Sequence, residues 1–441
     1  MSEKHNKNSE KCEDCEENST GNNREKRQGC ASEHNDDCDV VIIGAGPAGT
    51  VAACLLRQRG YRVLVLERQR FPRFVIGESL LPQSLQTLEK AGCLAAVSAY
   101  GFQRKTGATF KSGERSVDVI FEDKFSDGPG HAFHVERADF DQILAHCAME
   151  QGADVRFAHE VVAVDLKRDD CRLDWRNRAG QSGQVRCRFV LDASGYGRVL
   201  PRVLGIDRPS SLPMRGALFT HFTDHIAADS GHQRNTTLVA IHPHNPALWF
   251  WLISFANGRS SLGVVGDLAD LQPHQARGLA GLKALVAEEP NLSRLLRHAD
   301  FDMPAQTLSG YSSSVSQFYG DGFALLGNAA EFLDPVFSSG VTVAMHSADL
   351  AVQALDKTLA GQPVDWRAEY VDCLMQGVDV FRYYVESWYN QRLQQVIFSD
   401  AKNAQITAMI TAILAGYAWD TGNPFVKHPE RLDTVAKLCQ P

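Results

Sequence analysis

Apolar and polar positions fall into blocks along this chain, and the character of the blocks changes three times. Residues 40–43 are an unbroken apolar run, the pattern of a strand buried on both faces. A glycine-rich break follows at residues 44–49. Residues 50–59 then read as a helix, and residues 61–66 as a second strand that ends in Glu67. Beyond a loop over residues 68–82, the pattern predicts a helix at 84–91. Strands at 108–110 and 116–121 flank a turn at Ser112-Gly113. A helix at 138–151 carries Phe140, Ile143, Leu144 and Cys147 on one face. Residues 155–164, 171–175 and 186–191 read as strands. From about residue 205 to 319 the chain becomes mostly β, with strands at 216–222, 236–242, 248–255 and 261–265 and one helix over about 271–296. Residues 323–326 return to a buried strand, 341–359 to a helix, and 365 to about 413 to helical, aromatic-rich sequence.

Gly44-Ala45-Gly46-Pro47-Ala48-Gly49 fits G-x-G-x-x-G between a strand and a helix. Gly44 serves the tight turn, Gly46 the close approach of a pyrophosphate, and Gly49 the packing of helix on strand. The helix N-terminus offers free amides and the positive end of its dipole to phosphates. Glu67 lies about twenty residues on, where a ribose hydroxyl needs an acceptor, with Arg68 beside it. The fold class follows as α/β. A Rossmann-like nucleotide-binding domain occupies residues 38–204 and 320–360, a mainly β domain is inserted at 205–319, and a helical region runs over 361–441.

Composition narrows the setting. A 44% hydrophobic and 22% charged chain of 441 residues has enough apolar surface for a large core. A formal net charge of -8 without any basic run argues against a nucleic-acid partner, and no apolar stretch is long enough for a membrane helix. Eleven scattered cysteines favour a reducing, cytoplasmic setting. Residues 1–37 lack aromatic residues, so they read as a disordered leader. Cys12 and Cys15 in it have no second close pair, and no metal site is expected.

Four segments in order resemble the two-domain FAD monooxygenases built on the p-hydroxybenzoate hydroxylase plan. They are the glycine loop with Glu67, Arg137 at a helix start, Asp192-Ala193-Ser194-Gly195, and the stretch from Gly327 to Pro335. The resemblance implies FAD as cofactor, with Arg137 and Asp192 near the dinucleotide and Asn328 at the ribityl chain. Asn328 stands where the family usually has Asp, keeping a hydrogen-bonding oxygen without the charge.

Within that superfamily three further stretches are similar to the flavin-dependent halogenases acting on phenols and pyrroles. Phe71 to Pro82 reads F-P-R-F-V-I-G-E-S-L-L-P, residues 332–340 fit F-x-x-P-x-x-S-x-G, and residues 249–253 fit W-x-W-x-I with Ser254 in place of the following proline. The amides of Ser339 and Gly340 after Ser338 begin a helix, a dipole-positive position suited to a small anion. The resemblance places a chloride or bromide there, with Gly340 also against the flavin. It makes Trp249 and Trp251 the wall between flavin and substrate, although paired strand aromatics are also ordinary core residues. Lys105, before the strand at 108–110, matches the halogenases' catalytic lysine; Lys111-Ser112 stands where the family often has tryptophan. Removed from solvent, such an amine loses proton affinity and can hold or carry an electrophilic halogen.

The expected function is that of an FAD-dependent halogenase using reduced flavin, dioxygen and halide. It makes hypohalous acid, which Lys105 delivers to a small electron-rich aromatic, free or tethered to a carrier protein. No second dinucleotide loop is present, so a separate flavin reductase is the expected partner. The alternatives are a hydroxylase or reductase of the same fold, and a non-catalytic flavin sensor.

Overall fold

The computed structural model describes residues 37–400 and 403–439. The cysteine pair at Cys12 and Cys15, and all but the last residue of the expected leader, lie outside the described residues. Two large sheets dominate, and both have two covered faces. The first runs in the order Tyr319–Gly320, Phe323–Leu325, Ser182–Asp192, Cys38–Ile43, Val63–Glu67, Asp154–Phe157. From Phe323–Leu325 onward its neighbours are parallel, with Val41 opposite Leu64 and Val190. Such strands need apolar residues throughout, which is why residues 40–43 show no alternation.

The glycine break sits at the carboxyl edge of this sheet. Gly44 has φ +99°, and a Cβ on it would meet Ala193 O at 2.7 Å. The helix Pro47–Gln58 starts three residues earlier than expected, with proline in its first turn where the missing N–H costs nothing. Gly49 therefore lies inside the helix, and a Cβ there would stand 2.0 Å from Gly44 O. The long helix Ser339–Leu359 packs beside it.

The second sheet runs Gln306–Ser309, Arg215–Thr223, Arg259–Asp267, Trp249–Ser254, Thr236–Ile241, Gly107–Ser112, Arg115–Ile120. All its pairings are antiparallel except Thr236–Ile241 with Gly107–Ser112. Alternate residues face two cores. Phe219, Val239, Trp249, Trp251 and Ile253 turn toward the first sheet, while Leu218, Leu238, Phe250, Leu252 and Val264 turn outward onto helices.

Several expectations change here. Residues 107–120, expected in the nucleotide-binding half, complete the second sheet, so the mainly β layer is not confined to 205–319. All described residues fall within one compact unit. The single helix over about 271–296 is three: Leu268–Gln275, Leu279–Glu288 and Pro290–Leu295, divided where Gly278 takes φ +54° and Pro290 starts a new helix. The strand expected at 155–164 is broken at Ala158, whose φ is +62°.

Candidate functional site

A cavity of about 460 Å³ opens between the carboxyl edge of the first sheet and the inner face of the second. Gly44, Gly46, Pro47, Ala48, Glu67 and Arg68 line one end. Trp249, Trp251, Ile253, Val239 and Phe219 line the other, and Arg137, Asn328, Ser338 and Gly340 also reach its wall. The expected dinucleotide residues thus meet around one space, with two exceptions. Gly49 is turned into the helix–strand contact. Asp192 is fully buried away from the cavity, its carboxylate accepting from the amides of Ser194 (2.8 Å) and Leu200 (2.7 Å). Asp192 holds the turn that carries Ala193, Ser194 and Gly195 to the cavity wall, and does not itself line it.

The residues present fit an FAD. A Cβ on Gly46 would meet only one protein atom, Arg73 Nη2 at 3.5 Å, so the space above it belongs to the cavity. Glu67 Oε2 accepts from Ala45 N (2.9 Å) and Oε1 from Gln69 N (2.8 Å), which ties the glycine loop to the strand end and leaves further lone pairs for a ribose hydroxyl. Arg137 is fixed by Asp141 (2.8 and 3.0 Å) and by the Ile76 carbonyl (2.8 Å). Glu67→Gln removes a charged acceptor at both backbone amides and at the ribose. FAD affinity, read by fluorescence titration, is expected to fall by about ten- to a hundredfold at 1.5–3 kcal/mol for a hydrogen bond to a charged group.

At the other end the tryptophans are packed and hydrogen-bonded. Trp251 lies over Gly263, where a Cβ would be 2.2 Å from the indole, and its Nε1 donates to Ser261 Oγ at 3.1 Å. Trp249 Nε1 donates to Tyr389 Oη at 3.0 Å, and Tyr389 in turn to Asp334 Oδ2 at 3.1 Å. Ser254 ends the strand in regular pairing with Ser260, so the loss of proline does not bend it. Its hydroxyl lies 3.0 Å from His232 Nε2.

Ser338 takes φ +57° and makes no side-chain cap to the helix it precedes, so the first amides of that helix have no side-chain partner from it. Ser338 and Gly340 line the large cavity. Ser339 is buried and, with Gly340, Glu331 and Phe332, borders a separate void of about 10 Å³. Glu331 Oε1 accepts from Arg382 at 2.6 Å, while its Oε2 has no partner among the described residues.

Lys105 ends the short strand Gln103–Lys105 and is only 2% exposed. Among the described residues no carboxylate pairs with it. Nζ donates to the Leu80 carbonyl at 3.0 Å and lies 5.0 Å from the Phe121 ring centre, and burial lowers its pKa from 10.5 to about 7. It does not line the cavity. The loop that meets it also holds groups that the sequence motifs do not mark: Glu78 pairs with His221, and Ser79 bonds Thr237 at 2.8 Å. Glu78 and Ser79 lie in the Phe71 to Pro82 stretch, but their partners are 143 and 158 residues away, beyond the reach of local pattern.

The family described as FAD binding domain matches residues 37–370, well over half of the chain. The crystal structure of a flavoprotein/dehydrogenase from Cytophaga hutchinsonii is 41% identical, with a TM-score of 0.87 over 92% of this chain and 99% of that one. The structure of a flavin-dependent brominase is 25% identical, with a TM-score of 0.76 over 91% of this chain and 98% of that one. A 1H-pyrrole-2-carbonyl-[peptidyl-carrier protein] chlorinase from Pseudomonas fluorescens is 29% identical over 71% of this chain and 75% of its own length. Among the curated relatives the match spans from 62% to 80% of their length. Among the described residues no helix is long and apolar enough to cross a membrane, and no cluster of metal-ligating side chains occurs. The chain belongs to the FAD binding domain family: it is an FAD-dependent oxidoreductase, and its relatives include flavin-dependent halogenases.

Proposed function

We propose that the protein halogenates a small electron-rich aromatic, a phenol or a pyrrole, and that Lys105 is the catalytic amine. The observation that carries this reading is a buried lysine with no acid beside it among the described residues. Leaving an ammonium so placed is costly, and a structural role would be met better by an apolar residue. With a pKa of about 7, a large share of the amine is neutral near neutral pH. A neutral amine takes halogen from hypohalous acid, releasing water, and hands it to a ring carbon that loses its proton. FAD, when bound and reduced, supplies the two electrons that dioxygen needs for such an oxidation. Ser338 and Gly340 present backbone and hydroxyl donors to a chloride or bromide at the cavity wall, with Ser339 on the side of the small void. Trp249 and Trp251 close the cavity on the side of the second sheet. Reduced flavin arrives from a separate reductase, and the likeness to a carrier-protein pyrrole chlorinase supports a carrier-tethered substrate.

A second reading, direct oxidation or hydroxylation at the flavin, is favoured by two observations. Lys105 stands off the cavity, and the 41% identical structure is that of a flavoprotein/dehydrogenase. Turnover with a flavin reductase, bromide and a panel of phenols and pyrroles separates the two. Halogenation gives products with the bromine isotope doublet, absent without bromide; products formed equally without halide support the second reading.

A further inference from the structure

Three consecutive residues of the loop beside the cavity each hold a chemically active side chain. Glu78 takes His221, Ser79 takes Thr237, and the Leu80 carbonyl takes Lys105. The Ser79 link leads inward. His134 is fully buried, with Nδ1 3.0 Å from the Ser254 carbonyl oxygen, which can only accept. Nδ1 therefore carries the proton, and Nε2 of the neutral ring is an acceptor. Thr237 Oγ1, 2.9 Å from Nε2, must donate to it. Having one proton to give, Thr237 then accepts from Ser79 Oγ at 2.8 Å. One backbone carbonyl thus sets the direction of every bond in the chain. Ser79 and Thr237 both line the cavity, which places the outer end of the chain where the flavin binds.

We propose that Ser79, Thr237 and His134 form a proton relay between the flavin cavity and the buried imidazole. Moving inward, Ser79 Oγ takes a proton from a donor in the cavity and passes its own to Thr237 Oγ1. Thr237 passes its own to His134 Nε2, and the ring becomes an imidazolium with Nδ1–H still on the Ser254 carbonyl. Only O–H and N–H bonds change, and the reverse sequence returns the proton. The groups acting on His134 are Lys105, His232 and Arg234. Burial first, then these groups, lower its proton affinity against the Ser254 carbonyl, which raises it, so the ring is neutral at rest and gains a proton only when reduction adds negative charge to the cavity. A charged ring in turn lowers the proton affinity of Lys105, so the relay and the amine are coupled. The proposal rests on FAD binding and not on halogenation.

The test uses FAD-loaded protein with ¹⁵N-labelled histidine, together with the protons taken up per FAD reduced in weakly buffered solution. His134→Gln keeps a donor for Ser254 and an acceptor for Thr237 while removing the basic nitrogen, and Thr237→Val cuts the chain. The oxidised protein is expected to show His134 neutral with its proton on Nδ1. Proton uptake on reduction is expected to be higher in wild type than in either variant, by as much as one full proton. A proton on Nε2 instead, or uptake in Thr237→Val and His134→Gln equal to wild type, overturns the relay. Neither result bears on whether products carry halogen.

Discussion

Lys105→Met is expected to stabilise the protein at pH 7 and to abolish halogenation while FAD remains bound. Folding moves this amine out of water and lowers its pKa from 10.5 to about 7. Between those values the unfolded chain binds a proton that the folded chain does not. Stability therefore falls as pH drops through that window and levels off below it. At about 1.4 kcal/mol for each pH unit, the cost at neutral pH is on the order of 4 kcal/mol. Methionine has similar length and no charge, but it leaves the Leu80 carbonyl unpaired, at roughly 1–3 kcal/mol. The variant should thus be more stable by about 1–3 kcal/mol near pH 7, and equal to or less stable than wild type above about pH 10.5. Urea unfolding across that range checks the crossing. Parallel curves at every pH would mean that the amine is not buried in its neutral form. Product formation by the variant should fall at least a thousandfold if the amine carries the halogen.

Gly49→Val is the second large effect, expected where the glycine loop meets its helix. The first carbon of any side chain at Gly49 falls 2.0 Å from Gly44 O and 3.2 Å from Ala193 Cβ, both fixed parts of the carboxyl edge. The helix must move off the sheet, at roughly 1–3 kcal/mol or more, and the glycine loop moves with it. FAD affinity should fall more than a hundredfold by titration. Gly60→Ala is the control. Gly60 ends the same helix segment with φ +88° and nothing within 4 Å, so its cost is backbone strain alone and FAD binding should be unchanged.

The glycine loop was readable because its signal is local: a buried strand, three glycines and a helix in one short segment, with Glu67 at a fixed distance. The tryptophan strand was readable for the same reason, since an unbroken apolar run reports two buried faces directly. The pairing of Gly107–Ser112 with Thr236–Ile241 joins segments more than a hundred residues apart, and nothing in either run names the other. The resemblance sets Asp192 beside the cofactor, and nothing local in its segment shows that its carboxylate instead holds the turn through Ser194 and Leu200. Lys105 shows the limit most clearly. Its sequence neighbours are polar, and its burial arises from Leu80, Phe121 and His134, which come from three other segments.

The most direct measurement is a single turnover of FAD-reduced protein with bromide and a phenol or pyrrole substrate under ¹⁸O₂. Halogenation through Lys105 predicts a product that has exchanged one ring hydrogen for bromine and carries no ¹⁸O, the label leaving as water. A product carrying ¹⁸O and no bromine, at the same yield with and without bromide, would contradict it.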